Sequence, residues 1–160
     1  MGYAVKRVLG NQAHYLEPKK LEDIYVPKKG FTMIPILGSC PASPKSWVDD
    51  NVEEWEELPE KIVKGRRMYL VKAKGDSMND AGIDDGDLIL VDADAEPHNG
   101  SIVVICVDYE FTVKKFYKKD HTITLNPDSK NKDHQPMMFD NTANIKLRGV
   151  VEAVYMKKLK

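Results

Sequence analysis

Residues 68–117 have the sequence MYLVKAKGDSMNDAGIDDGDLILVDADAEPHNGSIVVICVDYEFTVKKFY. Short runs of β-branched and aromatic residues alternate here with Gly, Asp, Asn and Pro, which favour tight turns. Asp84-Asp85-Gly86 and Asp108-Tyr109 are two of these turn signals. Because apolar residues almost never recur at the helical period, the stretch predicts a mostly antiparallel β domain. The predicted strands cover residues 68–74, 87–93, 101–108 and 110–117.

Further strands are predicted on both sides of this stretch, at residues 32–39, 122–127 and 146–157. The segment from Trp47 to Glu60 is different, because it holds seven acidic residues and no basic one. Its apolar residues from Val48 onward are spaced by three to four positions, which fits one short helix or an irregular covering segment.

The charges of the whole chain nearly cancel. Its 160 residues include 24 Lys and Arg and 25 Asp and Glu, which leaves a formal net charge of -1. Such a chain has no overall electrostatic bias toward nucleic acid or an anionic membrane. No apolar run approaches the roughly 20 residues that span a bilayer, and the N-terminus lacks the apolar core of a signal peptide. A cytoplasmic protein without direct DNA binding is therefore expected.

The side chains that usually bind metals or cofactors are sparse. Cys40 and Cys106 are predicted to be free thiols, with Cys106 in the core, because a chain of this length does not need a disulfide. No GxGxxG, Walker or GxSxG motif is present. We therefore expect no metal site and no cofactor. The four histidines are scattered without metal-ligand spacing: His14, His98, His121 and His134.

Two features remain as candidates for chemistry: Ser77 in the Gly75-Asp76-Ser77-Met78 turn, and Lys114 in EFTVKKFY. A serine in a tight turn after a strand exposes its hydroxyl and lets nearby backbone N–H groups point at a carbonyl oxygen. Serine needs a base, and a lysine can serve when burial disfavours its ammonium form. Strand alternation does not decide whether Lys114 or Lys115 points inward. From spacing alone, an ordinary turn and a solvated lysine remain the alternative.

Several motifs follow one another in a specific order: the GDSM turn, a DGD turn, the GSIV strand, the TVKK strand and a final LRGVVEAVYMKK. From about Ile34 onward, the chain strongly resembles the C-terminal peptidase domain of the LexA and UmuD family, which includes phage repressors. Within that family, the GDSM turn and the EFTVKK strand most resemble UmuD. The resemblance implies a mostly β, antiparallel LexA-type peptidase domain with an extended N-terminal arm.

The resemblance also implies a self-cleaving serine peptidase. Ser77 matches the nucleophile and Lys114 the general base, while Lys115 matches a position with no catalytic role. The backbone N–H groups of Ser77 and its neighbour match the oxyanion donors. No cofactor is implied.

The expected cleavage site is Ala42-Ser43, which lies at the matching distance before Ser77. Serine replaces the usual glycine after the scissile bond, so cleavage could be slower, shifted or lost. Cys40-Pro41 is the other bond with a small residue before it, but a prolyl nitrogen disfavours it. The expected division is an arm or linker at 1–31, a cleavage-site segment and acidic bridge at 32–67, and the peptidase core at 68–160.

Three roles are compatible with this resemblance. The first is a UmuD-like factor of the DNA-damage (SOS) response, which a RecA–DNA filament stimulates to cleave itself and which then partners a translesion DNA polymerase. The second is the autocleavage and dimerisation domain of a LexA-like or phage-type repressor. The third is a dimerisation module that does not cleave. The arm is too short for a DNA-reading domain, which favours the first role if residue 1 is the natural start. A homodimer through the strand around Gly149 to Tyr155 is expected.

Overall fold

The fold is described from a computed structural model, which covers residues 27–40, 51–140 and 145–159. Most of the predicted arm therefore lies outside the described residues. The elements are β1 (Phe31–Leu37), β2 (Val52–Pro59), the one-turn helix α1 (Glu60–Val63), β3 (Met68–Lys72), a 3-10 turn (Asn79–Ala81), β4 (Leu88–Asp92), β5 (Ile102–Val107), β6 (Glu110–Lys119), β7 (Thr122–Asn126), β8 (Met137–Phe139) and β9 (Leu147–Met156).

Over the residues that the structure describes, the strands form one nine-stranded sheet in the order β2-β1-β3-β4-β9-β5-β6-β7-β8. All neighbours are antiparallel except β1 and β3, which pair in parallel through Ile36 and Leu37. The prediction of a mostly β fold is thus confirmed, with one parallel pair added to the antiparallel arrangement. Within the described ranges, no helix has the length and apolar character needed to cross a membrane.

The central strands are apolar on both faces. In β3 and β4, Tyr69 and Val71 pack with Ile89 and Val91 in one buried cluster, while their sequence neighbours belong to a second cluster that includes Leu70. Strands covered on both faces lose the alternation of polar and apolar residues. This burial explains why MYLV and LILV are continuous apolar runs. A third cluster lies under β5, β6 and β7 and contains Val103, Ile105, Phe116, Ile123 and Leu125.

Strand β9 joins the two halves of the sheet. It pairs with β4 along Val150–Met156 and with β5 along Leu147–Val150. The two pairings meet at Val150, and the residue before it, Gly149, has a φ of +154°. A Cβ atom placed there would lie 2.6 Å from the carbonyl oxygen of Asp92. Only glycine allows β9 to approach β4 this closely.

The described part of the acidic segment, residues 51–60, is mainly a strand rather than the helix or irregular cover predicted above. Strand β2 forms the edge of the sheet beside β1, where Leu58 is fully buried and Val52 and Trp55 are partly covered. Val and Trp favour strands, and pairing with β1 overrides the weak helical spacing. Acidic side chains along an edge strand discourage pairing with another chain. Within residues 51–60, helix begins only at Glu60, the first residue of the single turn α1.

The cysteine prediction is also wrong, because Cys40 and Cys106 form a disulfide. Cys40 follows β1, and its backbone N–H donates to the carbonyl oxygen of Tyr109 at 3.0 Å. Tyr109 and Asp108 form the β5–β6 hairpin turn, both with positive φ, and Cys106 lies just before them on β5. The two cysteines are 66 residues apart, so only the tertiary fold brings their sulfur atoms together.

Candidate active site

The turn that carries Ser77 is held by its neighbours. Gly75 has a φ of +78°, a conformation that glycine adopts without steric cost. Its N–H donates to a carboxylate oxygen of Asp85 at 2.8 Å, which ties the serine turn to the DGD turn before β4. Met78 is buried in the core cluster of β3 and β4. The chain is thus anchored on both sides of Ser77, which stays partly exposed.

Lys114 reaches Ser77 from β6 on the other half of the sheet. Its Nζ lies 2.9 Å from the Oγ of Ser77, at hydrogen-bond distance. Lys114 is only 8% exposed, and burial lowers the pKa of its ammonium group below the ordinary value for lysine. A lysine with a lowered pKa is more often neutral, and a neutral amine beside a hydroxyl can accept its proton. The pair therefore has the geometry and the electrostatics of a nucleophile and its base.

Both side chains line a pocket of about 250 Å³, together with Phe111 and His134. Within the described residues, the N–H groups of Ser77 and Met78 donate to no protein acceptor. These two groups are free to bind a carbonyl oxygen, as expected for oxyanion donors.

The loop between β7 and β8 lies against the serine turn. The N–H of Asp128 donates to the carbonyl oxygen of Ser77 at 2.7 Å, and the carbonyl of Asp128 accepts from Asp80 at 2.9 Å. The carboxylate of Asp76 contacts two further residues of this loop, Nδ2 of Asn131 at 3.0 Å and the ring of His134. These contacts, with that of His134 the stronger, hold the pKa of Asp76 below its ordinary value.

Lys115 points to this loop as well. Its Nζ lies 2.8 Å from a carboxylate oxygen of Asp128, and this contact raises the pKa of Lys115. The two neighbouring lysines thus differ in environment: Lys114 is buried against Ser77, whereas Lys115 is paired and about one-third exposed. Of the two lysines, it is therefore Lys114 that points inward, which strand alternation alone did not decide.

Comparison with known proteins places this geometry in a family. Residues 35–152 match the Peptidase S24-like family. The chain belongs to the Peptidase S24-like family. The match covers β3, β6 and the turn between β3 and β4, so both Ser77 and Lys114 lie within it.

Several relatives of this S24-like chain are LexA repressors. The chain is 40% identical to the LexA repressor of Desulfitobacterium hafniense over 102 residues, which are 64% of this chain and 50% of the relative. It is 38% identical to that of Clostridium kluyveri over 65% of this chain and 52% of the relative. With that of Thermotoga petrophila, it is 36% identical over 89% of this chain and 73% of the relative. The chain thus spans about half the length of the first two relatives.

The predicted cleavage bond lies outside the described residues, because Ala42 and Ser43 belong to the gap at 41–50. Contacts within the fold hold the residues next to this gap. The Gly38 N–H donates to the carbonyl oxygen of Asn51 at 3.0 Å. Cys40 is bonded to Cys106, which pairs in register with Phe111 at the wall of the pocket. In this S24-like domain, the segment before the predicted bond therefore starts beside the candidate site.

The described chain also has a cavity away from Ser77 and Lys114. A larger cavity of about 760 Å³ lies between β1, α1 and the start of β3, and it does not include Ser77 or Lys114. No group of three metal-binding side chains occurs among residues 27–40, 51–140 and 145–159. The contacts of Asp76 could not be predicted from the sequence, because its partners Asn131 and His134 lie 55 and 58 residues away. Asp128 likewise binds the distant Ser77. The residues Asn126-Pro127-Asp128 at the start of this loop are of the types that favour a tight turn, which is a local signal without information about its contacts.

Proposed function

We propose that this chain carries the self-cleaving serine peptidase domain of a LexA-like transcriptional repressor. The observation that carries the proposal is the 2.9 Å contact between Lys114 and Ser77, at a lysine whose pKa is lowered by burial. Membership in the Peptidase S24-like family and similarity to LexA repressors support the same function. Ser77 is the proposed nucleophile and Lys114 the proposed general base.

The repressor role fits better than the UmuD-like role that the sequence motifs favoured. The relatives described above are LexA repressors, and they include sequence beyond the part that this chain matches. By analogy with them, the protein would act in the cytoplasm in the response to DNA damage, with a RecA–DNA filament stimulating its cleavage. A translesion polymerase partner belonged to the UmuD-like role and is not carried over.

The proposed mechanism uses only groups of this chain and water. Neutral Lys114 takes the proton of Ser77, and the Ser77 oxygen attacks the carbonyl carbon of Ala42. The N–H groups of Ser77 and Met78 stabilise the negative oxygen that forms. Lys114 then gives its proton to the departing amine of Ser43.

A water molecule hydrolyses the acyl-enzyme that this first step leaves. Its hydroxyl bonds to the Ala42 carbon, and its proton returns to Ser77 by way of Lys114. The net reaction adds one water across the Ala42-Ser43 bond. Because enzyme and substrate are one chain, the docking of the cleavage segment in the pocket controls the rate.

A homodimer is the proposed assembly. Among the described residues, β9 pairs with β5 only as far as Val150, whereas its pairing with β4 continues to Met156. The stretch from Val151 to Met156 therefore has an edge that β5 does not cover. A second copy of this stretch can add to that edge in the antiparallel direction.

The first prediction is that the purified chain cleaves itself at alkaline pH without another protein. Raised pH deprotonates Lys114, so intact-mass measurement after incubation with reductant should show fragments ending at Ala42 and starting at Ser43. Fragments ending at Cys40 would instead show that the cleaved bond is Cys40-Pro41. Ser77→Ala is the control and should stay whole. A wild-type chain that stays as intact as this control, even with a RecA–DNA filament, would favour the non-cleaving dimerisation module.

A further inference from the structure

We propose that Asp128 is a positioning residue that aligns Ser77 with Lys114. This inference rests on the proposed function. Asp128 contacts one residue of the candidate dyad and the neighbour of the other: its N–H binds the carbonyl oxygen of Ser77, and its carboxylate binds Lys115, which follows Lys114 directly on β6. Ser77 and Lys114 lie on different halves of the sheet, so a link between them fixes the distance of the proton transfer.

The contacts around Asp128 reinforce one another. Its carbonyl oxygen accepts from Asp80 in the turn after Ser77, so two backbone hydrogen bonds hold this turn to the loop. The carboxylate of Asp76, directly before Ser77, binds Asn131 and His134 of the same loop. The carboxylate of Asp128 holds the residue against Lys115, and this ion pair thereby positions the Asp128 N–H that binds Ser77. An error of about 1 Å in such an alignment can cost about 100-fold in rate.

Replacing Asp128 with Ala tests this role. The variant should cleave itself, and react at Ser77 with a fluorophosphonate, about 10- to 100-fold more slowly than wild type. Lys115→Ala should have a similar effect, and the double variant should be no slower than the slower single one, because both remove the same contact. Lys115→Arg should keep most of the rate. The midpoint of the pH profile should stay unchanged, because the burial of Lys114 sets it.

The Asp94→Ala variant is the matched control, because it removes an exposed ion pair with Arg67 at the far end of β3 and β4. It should react at the wild-type rate. Equal labelling of wild type, Asp128→Ala and Lys115→Ala would overturn the positioning role. So would a rate loss in Asp128→Ala that matches a loss of folded protein by circular dichroism. If wild type and Ser77→Ala label alike, the proposed nucleophile itself is wrong.

An independent observation, the disulfide, carries a second inference. We infer that the Cys40–Cys106 bond keeps the N-terminal fragment attached after self-cleavage. The proposed Ala42-Ser43 bond lies between the two cysteines, so its hydrolysis opens a covalent ring and does not divide the molecule. Cleavage and fragment release then become separate steps, and this inference too rests on the proposed function.

Release requires a dithiol reductant. The reductant breaks the sulfur–sulfur bond, Cys40 and Cys106 each become a thiol, and the reductant is oxidised to its own disulfide. Cys106 is partly exposed, so the bond is accessible from one side, whereas Cys40 is buried. Disulfides of cytosolic proteins are usually transient and redox-sensing, which agrees with a controlled release.

Electrophoresis of one cleaved sample with and without reductant tests the tether. Without reductant, denatured cleaved protein should keep the mass of the whole chain plus one water; with reductant, it should separate into two fragments. Cys40→Ser and Cys106→Ser should each release the fragments without reductant. Separate wild-type fragments in oxidising denaturant, or two titratable thiols in the oxidised protein, would overturn the tether. Absence of fragments even after reduction would instead count against self-cleavage. The thiol titration would still show whether Cys40 and Cys106 are bonded and could hold the fragments together.

Discussion

Replacing Lys114 with Met is expected to slow self-cleavage by about 100- to 10,000-fold, the usual contribution of a general base. Methionine keeps the volume of the buried side chain but cannot accept the proton of Ser77. Ser77→Ala should lose cleavage in the same way, and combining the two should add little, because both residues serve one proton transfer. Fragment formation followed by mass spectrometry measures each rate.

The pH profile gives the same prediction a second test. A general base must be neutral, so the rate should rise with pH and level off once Lys114 is deprotonated. Because burial lowers its pKa, this plateau should begin below the ordinary lysine value of 10.5. Lys119→Ala, which changes an exposed lysine at the end of the same strand, is the matched control and should keep both rate and profile. A wild-type rate in Lys114→Met would exclude the proposed base.

Replacing Gly149 with Ala is expected to be the most destabilising of the substitutions considered. The added Cβ would lie 2.6 Å from the Asp92 carbonyl oxygen, so β9 must move away from β4. The positive φ adds backbone strain. Together, the steric clash and this strain should lower the free energy of unfolding by an amount on the order of 2–6 kcal/mol. Since a domain is stable by only about 5–15 kcal/mol, this loss is a large share of the total stability, and the urea midpoint should fall markedly. Urea unfolding followed by circular dichroism measures the loss.

Gly100→Ala separates the two contributions to this loss. Gly100 also has a positive φ, of +92°, but a Cβ there meets nothing within 4 Å. Its substitution should therefore show the backbone strain alone and cost clearly less than that of Gly149. Equal urea midpoints for the two variants would mean that the close approach of β9 to β4 contributes nothing.

The central strands and the serine turn could be predicted because their signals are local. Continuous apolar runs between Gly and Asp turns define β3 to β6, and Gly75 marks the turn before Ser77 within a few residues. The choice of Lys114 as base came from the family motif, and its contact with Ser77 agrees with that choice. Alternation along β6 alone could not separate it from Lys115.

The errors arose where distant segments decide the local structure. The acidic segment becomes β2 only because β1 offers an edge for pairing. Cys40 and Cys106 meet only because the β5–β6 hairpin lies beside the end of β1. His134 looked isolated in the sequence, yet it contacts Asp76 from 58 residues away. Spacing along a single chain holds no information about such contacts.

The order of the strands along the chain also bears on when the peptidase can work during protein synthesis. Ser77 and Lys114 both leave the ribosome before β9, yet β9 is the strand that hydrogen-bonds their two half-sheets together. A nascent chain that ends before residue 147 has Ser77, Lys114 and Asp128, but it lacks the strand that joins the two half-sheets by backbone hydrogen bonds. If the proposed function holds, we therefore expect such a nascent chain to cleave itself more slowly than the chain with the complete sheet.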